Sequence, residues 1–448
     1  MARRPAHVPL NVYLNARLVG RLSKEGSGAI DFQYDAGWLG WENAIPVSLS
    51  LPLREDRYIG DPVVAVFDNL LPDNENIRRR VAERSHAGGS DAYSLLGAIG
   101  RDCVGALQFV PDGTPVGEAG QIEARSVTDE EVGNLINDLA RNPLGIGDDD
   151  REFRISIAGA QEKTALLKLE GGWHVPHGTT ATTHILKPQI GQLPNGIDLS
   201  NSVENEHLCL EIVRALGLPA AKSEIADFRG KRCLVVERFD RVWTWGGRLL
   251  RLPQEDLCQA LSIPPSHKHE SHGGPGIRDL IGLLKGSDYP EEDQRTLFKA
   301  QIVFWLLAAT DGHAKNFSIH LSPGGRFRLT PLYDVISVQP SLDAHQIRLN
   351  QMKLAMAVGN NRHYTFNGIT GRHFLQTADL CGLPARLAQE VIQEIGDTGA
   401  AKIDEVISSL PAGYPEQMAA SVSNAAKSRV ASLQTTSSAP PPELATSN

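Results

Sequence analysis

The run Ile302-Val-Phe-Trp-Leu-Leu-Ala-Ala309 passes through Thr310 into Asp311-Gly-His-Ala-Lys-Asn316. The segment from Thr296 to Ala309 is apolar all round toward its end, the pattern of a helix buried on every side. A polar hexapeptide leaving such a helix has a fixed origin. Asp311 and Asn316 stand five positions apart. This pairs a carboxylate that accepts a hydroxyl proton with a neutral amide oxygen for a divalent cation, as phosphoryl-transfer loops do. The spacing alone also suits a polar turn that ends a helix.

Downstream, Phe327 to Leu329 reads as a strand, and Pro331-Leu-Tyr-Asp334 follows it. A loop Asp after a strand is usually a turn residue. Two acidic positions flanking one Asn after one buried helix nevertheless suit a Mg²⁺ site. Upstream, Ile155-Ser-Ile-Ala-Gly-Ala-Gln-Glu-Lys-Thr-Ala-Leu-Leu167 reads as strand, small-residue loop and strand, a form that lets backbone N–H groups approach phosphates. It is not a Walker A loop, because Glu162 rather than Gly precedes Lys163 and a strand rather than a helix follows. An ordinary hairpin with small turn residues would look the same.

Thr183-His-Ile-Leu-Lys-Pro188 puts Lys187 at a strand end, where a point charge can grip phosphates or simply be solvated. Glu206, in the helix expected over Ser202 to Leu216, is placed to hold that Lys, with Glu204 and Glu211 as nearby alternatives. The strand Arg232 to Glu237 ends at Arg238-Phe-Asp-Arg241, where a β-rich part gives way to a helical one. Glu237 and Phe239 are candidates to line a base pocket there. A core Phe beside an exposed charge cluster is the bland account.

At 448 residues the chain exceeds one hydrophobic core, so two or three packed units are expected. Forty-four basic against fifty-three acidic residues give a net charge of -9, which excludes coating nucleic acid by charge alone. Five scattered cysteines without a C-x-x-C pair fit neither a zinc site nor a disulfide framework. They read as packed, reduced thiols of a cytoplasmic protein. The basic start lacks a signal-peptide apolar run, and Ile302 to Ala309, the longest apolar run, is too short for a bilayer. No membrane partner is expected.

The first hundred residues are strand-like, beginning with a hairpin over Asn11 to Leu22 around Asn15-Ala16. Asp73 or Asn74 is placed to cap a short charged helix over Ile77 to Arg84. The organisation expected is a β-rich N-terminal domain over 1–112, a linker with a short helical segment over 113–150 and a β-rich lobe over 151–240. A helical lobe over 241–431 and a Ser, Thr and Pro-rich disordered tail over 432–448 complete it.

Taken together, Ser156 to Leu167, Thr183 to Pro188, Glu237 to Arg241, Asp311 to Ser318 and Pro331 to Ser337 resemble, in order, the motifs of the HipA family of toxin kinases. Asp68 to Asn74 and Gly100 to Leu107 resemble that family's N-terminal domain, and Glu255 to Ile277 its long pre-catalytic loop. The tail from Ser432 has no counterpart. The resemblance implies an α+β, bilobal protein-kinase-like fold with an extra N-terminal β-rich domain, with ATP and Mg²⁺ as cofactors. It also implies a HipB-type antitoxin partner, operator DNA bound mainly through that antitoxin, and an aminoacyl-tRNA synthetase, typically glutamyl-tRNA synthetase, as substrate. Carried over, Asp311 is the catalytic base, and Asn316 and Asp334 are metal ligands. Ala158, Gly159, Ala160, Gln161, Glu162, Lys163, Lys187, Glu237, Phe239, His313 and Lys315 are nucleotide contacts, and Ser156 is the autophosphorylated residue. A small-molecule kinase on the same scaffold and a non-catalytic nucleotide-binding regulator are the competing expectations.

Overall fold

The computed structural model describes residues 7–139, 141–145, 155–159 and 161–437. It is α+β and bilobal, with the N-terminal domain laid against both lobes. Alternating sequence at the N-terminus forms a five-stranded antiparallel sheet, in spatial order Tyr58–Ile59, Ile30–Tyr34, Arg17–Lys24, Leu10–Leu14 and Leu107–Pro111. The positive φ of Asn15 and Ala16 makes the first hairpin turn. Helices Asp61–Asp68 and Ala92–Ile99 pack on this sheet, and Glu75–Ser85 packs against Ala92–Ile99. Asn74 caps the second of them by accepting from the N–H groups of Asn76 and Ile77.

The smaller lobe is a six-stranded antiparallel sheet, in order Ser223–Phe228, Lys231–Glu237, His184–Pro188, Thr164–Leu169, Gly172–Pro176 and Ala124–Val127. Its longest helix among the described residues, Ser202–Ala215, packs beside Lys231–Glu237. The larger lobe is built on the buried helix Pro290–Leu307, surrounded by Ile277–Leu284, Gly371–Cys381, Ala385–Ser409 and Glu416–Ser437. A three-stranded sheet of Gln254–Asp256, Ser318–Ser322 and Arg326–Leu329 carries the segments on either side of the Asp311 loop.

Three expectations need correction. Ala124–Val127, assigned to a linker, is the edge strand of the smaller lobe, paired with Gly172–Pro176, and a capping box at Thr128 starts the helix Asp129–Asp138 behind it. The strand expected at the start of the Ile155 to Leu167 segment is, within the described residues, one parallel bridge from Ile155 to Asp102. The last helix continues to Ser437, beyond the Ser432 at which a disordered tail was expected. Leu433 is buried in the larger lobe's core, and no helix-breaking residue occurs before Pro440. Residues 438–448 lie outside the described residues.

The N-terminal domain is not a separate bead. Phe32, Phe67 and Phe109 share one continuous core with Ile155, Leu166, Leu186 and Val235 of the smaller lobe. Beside that core, Asp102 receives Arg241 and Arg251 at 2.9 Å and Arg238 at 3.4 Å, and Asp240 pairs with Arg238 at 2.8 Å. Burial opposes ionisation of Asp102, but three guanidiniums overcome it and hold its carboxyl well below the usual range. The network joins the N-terminal domain to the junction of the two lobes.

Candidate active site

The Asp311 loop owes its position to the way the buried helix ends. Ala308 adopts a left-handed conformation (φ 53°) and closes the helix by donating its N–H to the carbonyl of Trp305. Gly312 then passes so close to Phe304 that a Cβ would enter the aromatic ring. Asn316 donates Nδ2 to the Asp311 carbonyl at 2.7 Å, which closes the loop and leaves Oδ1 as the acceptor end of the amide. The Asp311 side chain is 56% exposed at the pocket mouth.

The opposite wall is electrostatic. Lys187 donates to Glu206 Oε1 and to Asp334 Oδ1, each at 2.7 Å. Burial alone would discharge this Lys, but Asp334 and Glu206 outweigh it and raise its pKa. Burial likewise opposes the charge on Asp334, and Lys187 with Lys163 pushes its pKa below the ordinary value. Asp334 also sits at φ 59°, a left-handed conformation uncommon for a residue with a Cβ. Lys187, Lys163, Glu206 and Asp334 therefore line the same pocket as Asp311 and Asn316. Val104, Ile157, Ile185, Ala221 and Val236 supply its apolar end.

Of the small-residue loop, Ala158, Gly159 and Lys163 line the pocket. Lys163 Nζ donates to the Ala158 carbonyl at 2.9 Å. Gly159 has φ 115°, and a Cβ there would collide with that Nζ. Gln161 and Glu162 do not line the pocket, and their side chains are engaged elsewhere. Gln161 donates to the Pro188 carbonyl at 2.9 Å, and Glu162 pairs with Arg80 of the N-terminal domain. Ala160 lies outside the described residues.

Glu237 and Phe239 both line the pocket, with the Phe239 ring 5.9 Å from those of Tyr333 and His320. His313 is buried, with neither ring nitrogen hydrogen-bonded, and burial pushes its pKa down to about 4. Lys315 also borders the pocket, yet its ammonium is engaged elsewhere: Asp256 Oδ2 at 2.7 Å, Asn69 O at 2.5 Å and Asn69 Oδ1 at 3.0 Å. Three acceptors for three hydrogens make it a brace rather than the expected nucleotide contact. Ser156 is fully buried outside the pocket lining, donating Oγ to the Leu70 carbonyl at 2.7 Å.

Sequence reasoning gave Asn69 and Lys268 no role and Asp73 only that of a possible helix cap, yet all three line the pocket. Asp73 pairs with Lys268 at 2.8 Å and donates its N–H to the Gly159 carbonyl at 3.1 Å. The segments that carry them were legible only as stretches that resemble the family, without a chemical role for these side chains.

The donor set suits a nucleotide with a hard divalent cation. Asp334 and Asn316 offer oxygen ligands, Lys163 and Lys187 offer ammonium groups, and the pocket has an apolar end for a base.

Residues 10–110 match the model of the HipA N-terminal domain, and residues 155–403 that of the HipA-like C-terminal domain. A putative kinase, Y4mE, of Sinorhizobium fredii is 35% identical over 354 residues, 78% of this chain and 80% of that protein. The serine/threonine-protein kinase toxin HipA of Shewanella oneidensis is 28% identical over 416 residues, 90% of each. A solved complex of the S. oneidensis HipA, HipB and operator DNA contains a chain that superposes with TM-score 0.80 at 26% identity, covering 95% of this chain and 97% of that one. The two domain matches cover the N-terminal sheet and both lobes in one order, and the chain therefore belongs to the HipA family of serine/threonine kinase toxins.

Proposed function

We propose that the protein transfers the γ-phosphoryl group of ATP, with Mg²⁺, to a serine or threonine hydroxyl of a protein, and that this arrests growth. The observation that carries the reading is Lys187 held between Glu206 and Asp334 at 2.7 Å, opposite the Asp311 and Asn316 loop. Mg²⁺ on Asp334 and Asn316 would neutralise phosphate charge. Asp311, the most exposed group of the set, accepts the acceptor hydroxyl's proton. Lys187 and Lys163 hold phosphate oxygens, the loop at Ala158 and Gly159 contributes backbone N–H groups, and Val236, Glu237 and Phe239 border the base.

Family membership supports the rest of this reading. The substrate is an aminoacyl-tRNA synthetase such as glutamyl-tRNA synthetase, the consequence is stalled translation and drug tolerance, and the setting is the cytoplasm. A HipB-type antitoxin restrains the toxin and contacts operator DNA. Ser156 is the site of self-inactivation. Its burial against Leu70 means that the loop must leave the N-terminal domain before the hydroxyl can react.

The experiment is incubation of the protein with radiolabelled ATP, Mg²⁺ and a bacterial lysate, followed by identification of the labelled species. Label on a tRNA synthetase is the expected result. Label confined to a metabolite favours a small-molecule kinase, and no label at all overturns the reading.

A further inference from the structure

Asp311 is not alone at the mouth of the pocket. His269, from the segment His269-Glu-Ser-His-Gly-Gly-Pro-Gly276, reaches across and places Nε2 3.3 Å from Asp311 Oδ1. His313 comes from the other side, its Nε2 3.5 Å from the same oxygen. The two imidazoles meet edge to face with centroids 4.8 Å apart, and one ligand atom from each of the three residues lies within 4.8 Å of the others.

Two features make this more than a crowded surface. His313 is 2% exposed, and both its ring nitrogens lack a hydrogen-bond partner, although buried polar groups normally have one. Two of the three ligand separations also match a coordination shell, the third, between the imidazoles, being bounded at 4.8 Å. Ligands bound to a tetrahedral metal at about 2.0–2.1 Å stand roughly 3.3–3.5 Å apart, which is the separation between Asp311 Oδ1 and each imidazole nitrogen. Lys268 disfavours positive charge at His313, but it is paired at 2.8 Å with Asp73, which acts in the opposite sense.

We propose that His269, Asp311 and His313 form a second metal site, selective for a borderline-soft transition cation of the zinc type, whose occupation inhibits the enzyme. Two imidazole nitrogens and one carboxylate oxygen suit zinc and are a poor set for Mg²⁺, which takes hard oxygen ligands. Three protein ligands leave the fourth position to water, and the exposure of Asp311 gives that position access to solvent. The site is distinct from the pair Asn316 and Asp334. Its metal binding stands independently, whereas its inhibitory role rests on the reading of Asp311 as catalytic base, because a carboxylate bound to zinc cannot take a hydroxyl proton.

The test uses the full-length protein with Co²⁺ as a spectroscopic probe and chelator-buffered Zn²⁺ as inhibitor at saturating Mg²⁺ and ATP. One equivalent of Co²⁺ gives the strong visible absorption of tetrahedral coordination, and Zn²⁺ displaces it. Zn²⁺ slows phosphoryl transfer, and a zinc chelator restores it. His269→Ala weakens Co²⁺ binding by more than the roughly 10–100-fold that loss of a supporting hydrogen bond costs. It moves the half-inhibitory zinc concentration by the same factor, measured against that variant's own zinc-free rate. His269→Gln, with a melting curve for each variant, guards against a folding defect. Absence of tetrahedral Co²⁺ in the wild type, or equally tight binding by folded His269→Ala, overturns the site. Phosphoryl transfer indifferent to Zn²⁺ overturns the inhibitory role. Tetrahedral binding lost in the variant of a protein that transfers no phosphate keeps the site and overturns the kinase reading instead.

Discussion

Replacing Lys187 by Met tests the electrostatic wall of the pocket without involving substrate. In the wild type, Glu206 and Asp334 each lie 2.7 Å from one ammonium, so their oxygens stand no more than about 5.4 Å apart, twice that distance. Removing the cation leaves two carboxylates facing each other inside the protein. At an effective dielectric of about 20 and that separation, their repulsion is roughly 3 kcal/mol. Removing one partner of a buried ion pair costs about 3–5 kcal/mol, so both routes give the same order. The sign with pH follows. Burial already raises the pKa of Glu206, and loss of Lys187 raises it further. The folded variant then holds a proton that the unfolded chain releases, so stability falls as pH rises through that pKa and recovers on acidification. Urea unfolding at pH 7 is expected to show Lys187→Met destabilised by about 3–5 kcal/mol, with a smaller deficit at pH 5. Lys187→Met with Glu206→Gln should regain part of the loss. A single variant as stable as wild type at pH 7, or a deficit that grows on acidification, would refute the reasoning.

Asp311→Ala should lower the rate of label transfer by about 10²–10⁴-fold, the range for loss of a positioned base, while ATP affinity by calorimetry changes little because this side chain faces the pocket mouth. Gly159→Ala should cost more than about tenfold in ATP affinity, since the φ of 115° and the position of Lys163 forbid a Cβ without moving the loop. Asp102→Ala, which leaves three buried guanidiniums without their shared carboxylate, should destabilise the fold by about 3–5 kcal/mol, seen as a lowered unfolding midpoint. Arg80→Ala removes the ion pair that ties Glu162 to the N-terminal domain, and mass spectrometry should detect phosphate at Ser156 sooner than in wild type.

What the sequence made legible was local. Asp311 and Asn316 are close in the chain, and the buried helix before them announces itself by composition, so their juxtaposition needs no tertiary information. Lys187 with Glu206 was readable as strand end and helix, although the choice over Glu204 and Glu211 was open. The structure places Glu204 instead on Arg232 at 2.7 Å and Glu211 on Arg214 at 2.5 Å. Lys315 misled because adjacency to Asn316 says nothing of direction, and its partners Asn69 and Asp256 are distant in sequence. Ser156 exposes a limit of alternation. Ile155, Ser156 and Ile157 are all buried, since the N-terminal domain covers one side of the segment and the smaller lobe the other.

That double cover bears on how the proposed phosphate loop is controlled. From Ser156 to Lys163, few of its restraints come from the smaller lobe itself. Ser156 is bonded to Leu70 and Asp102, Gly159 to Asp73, and Glu162 to Arg80, and all four partners belong to the N-terminal domain. Asp73 in turn pairs with Lys268 at 2.8 Å, one residue before His269. Asn69, from the same segment, holds Lys315 inside the catalytic loop and donates to the Ile263 carbonyl at 2.8 Å. The residues 68–80 therefore touch the small-residue loop, the Asp311 loop and the segment before it at once. Separating the N-terminal domain from the lobes would loosen all three together, so this domain is part of the active site's framework rather than an appendage to a self-sufficient kinase.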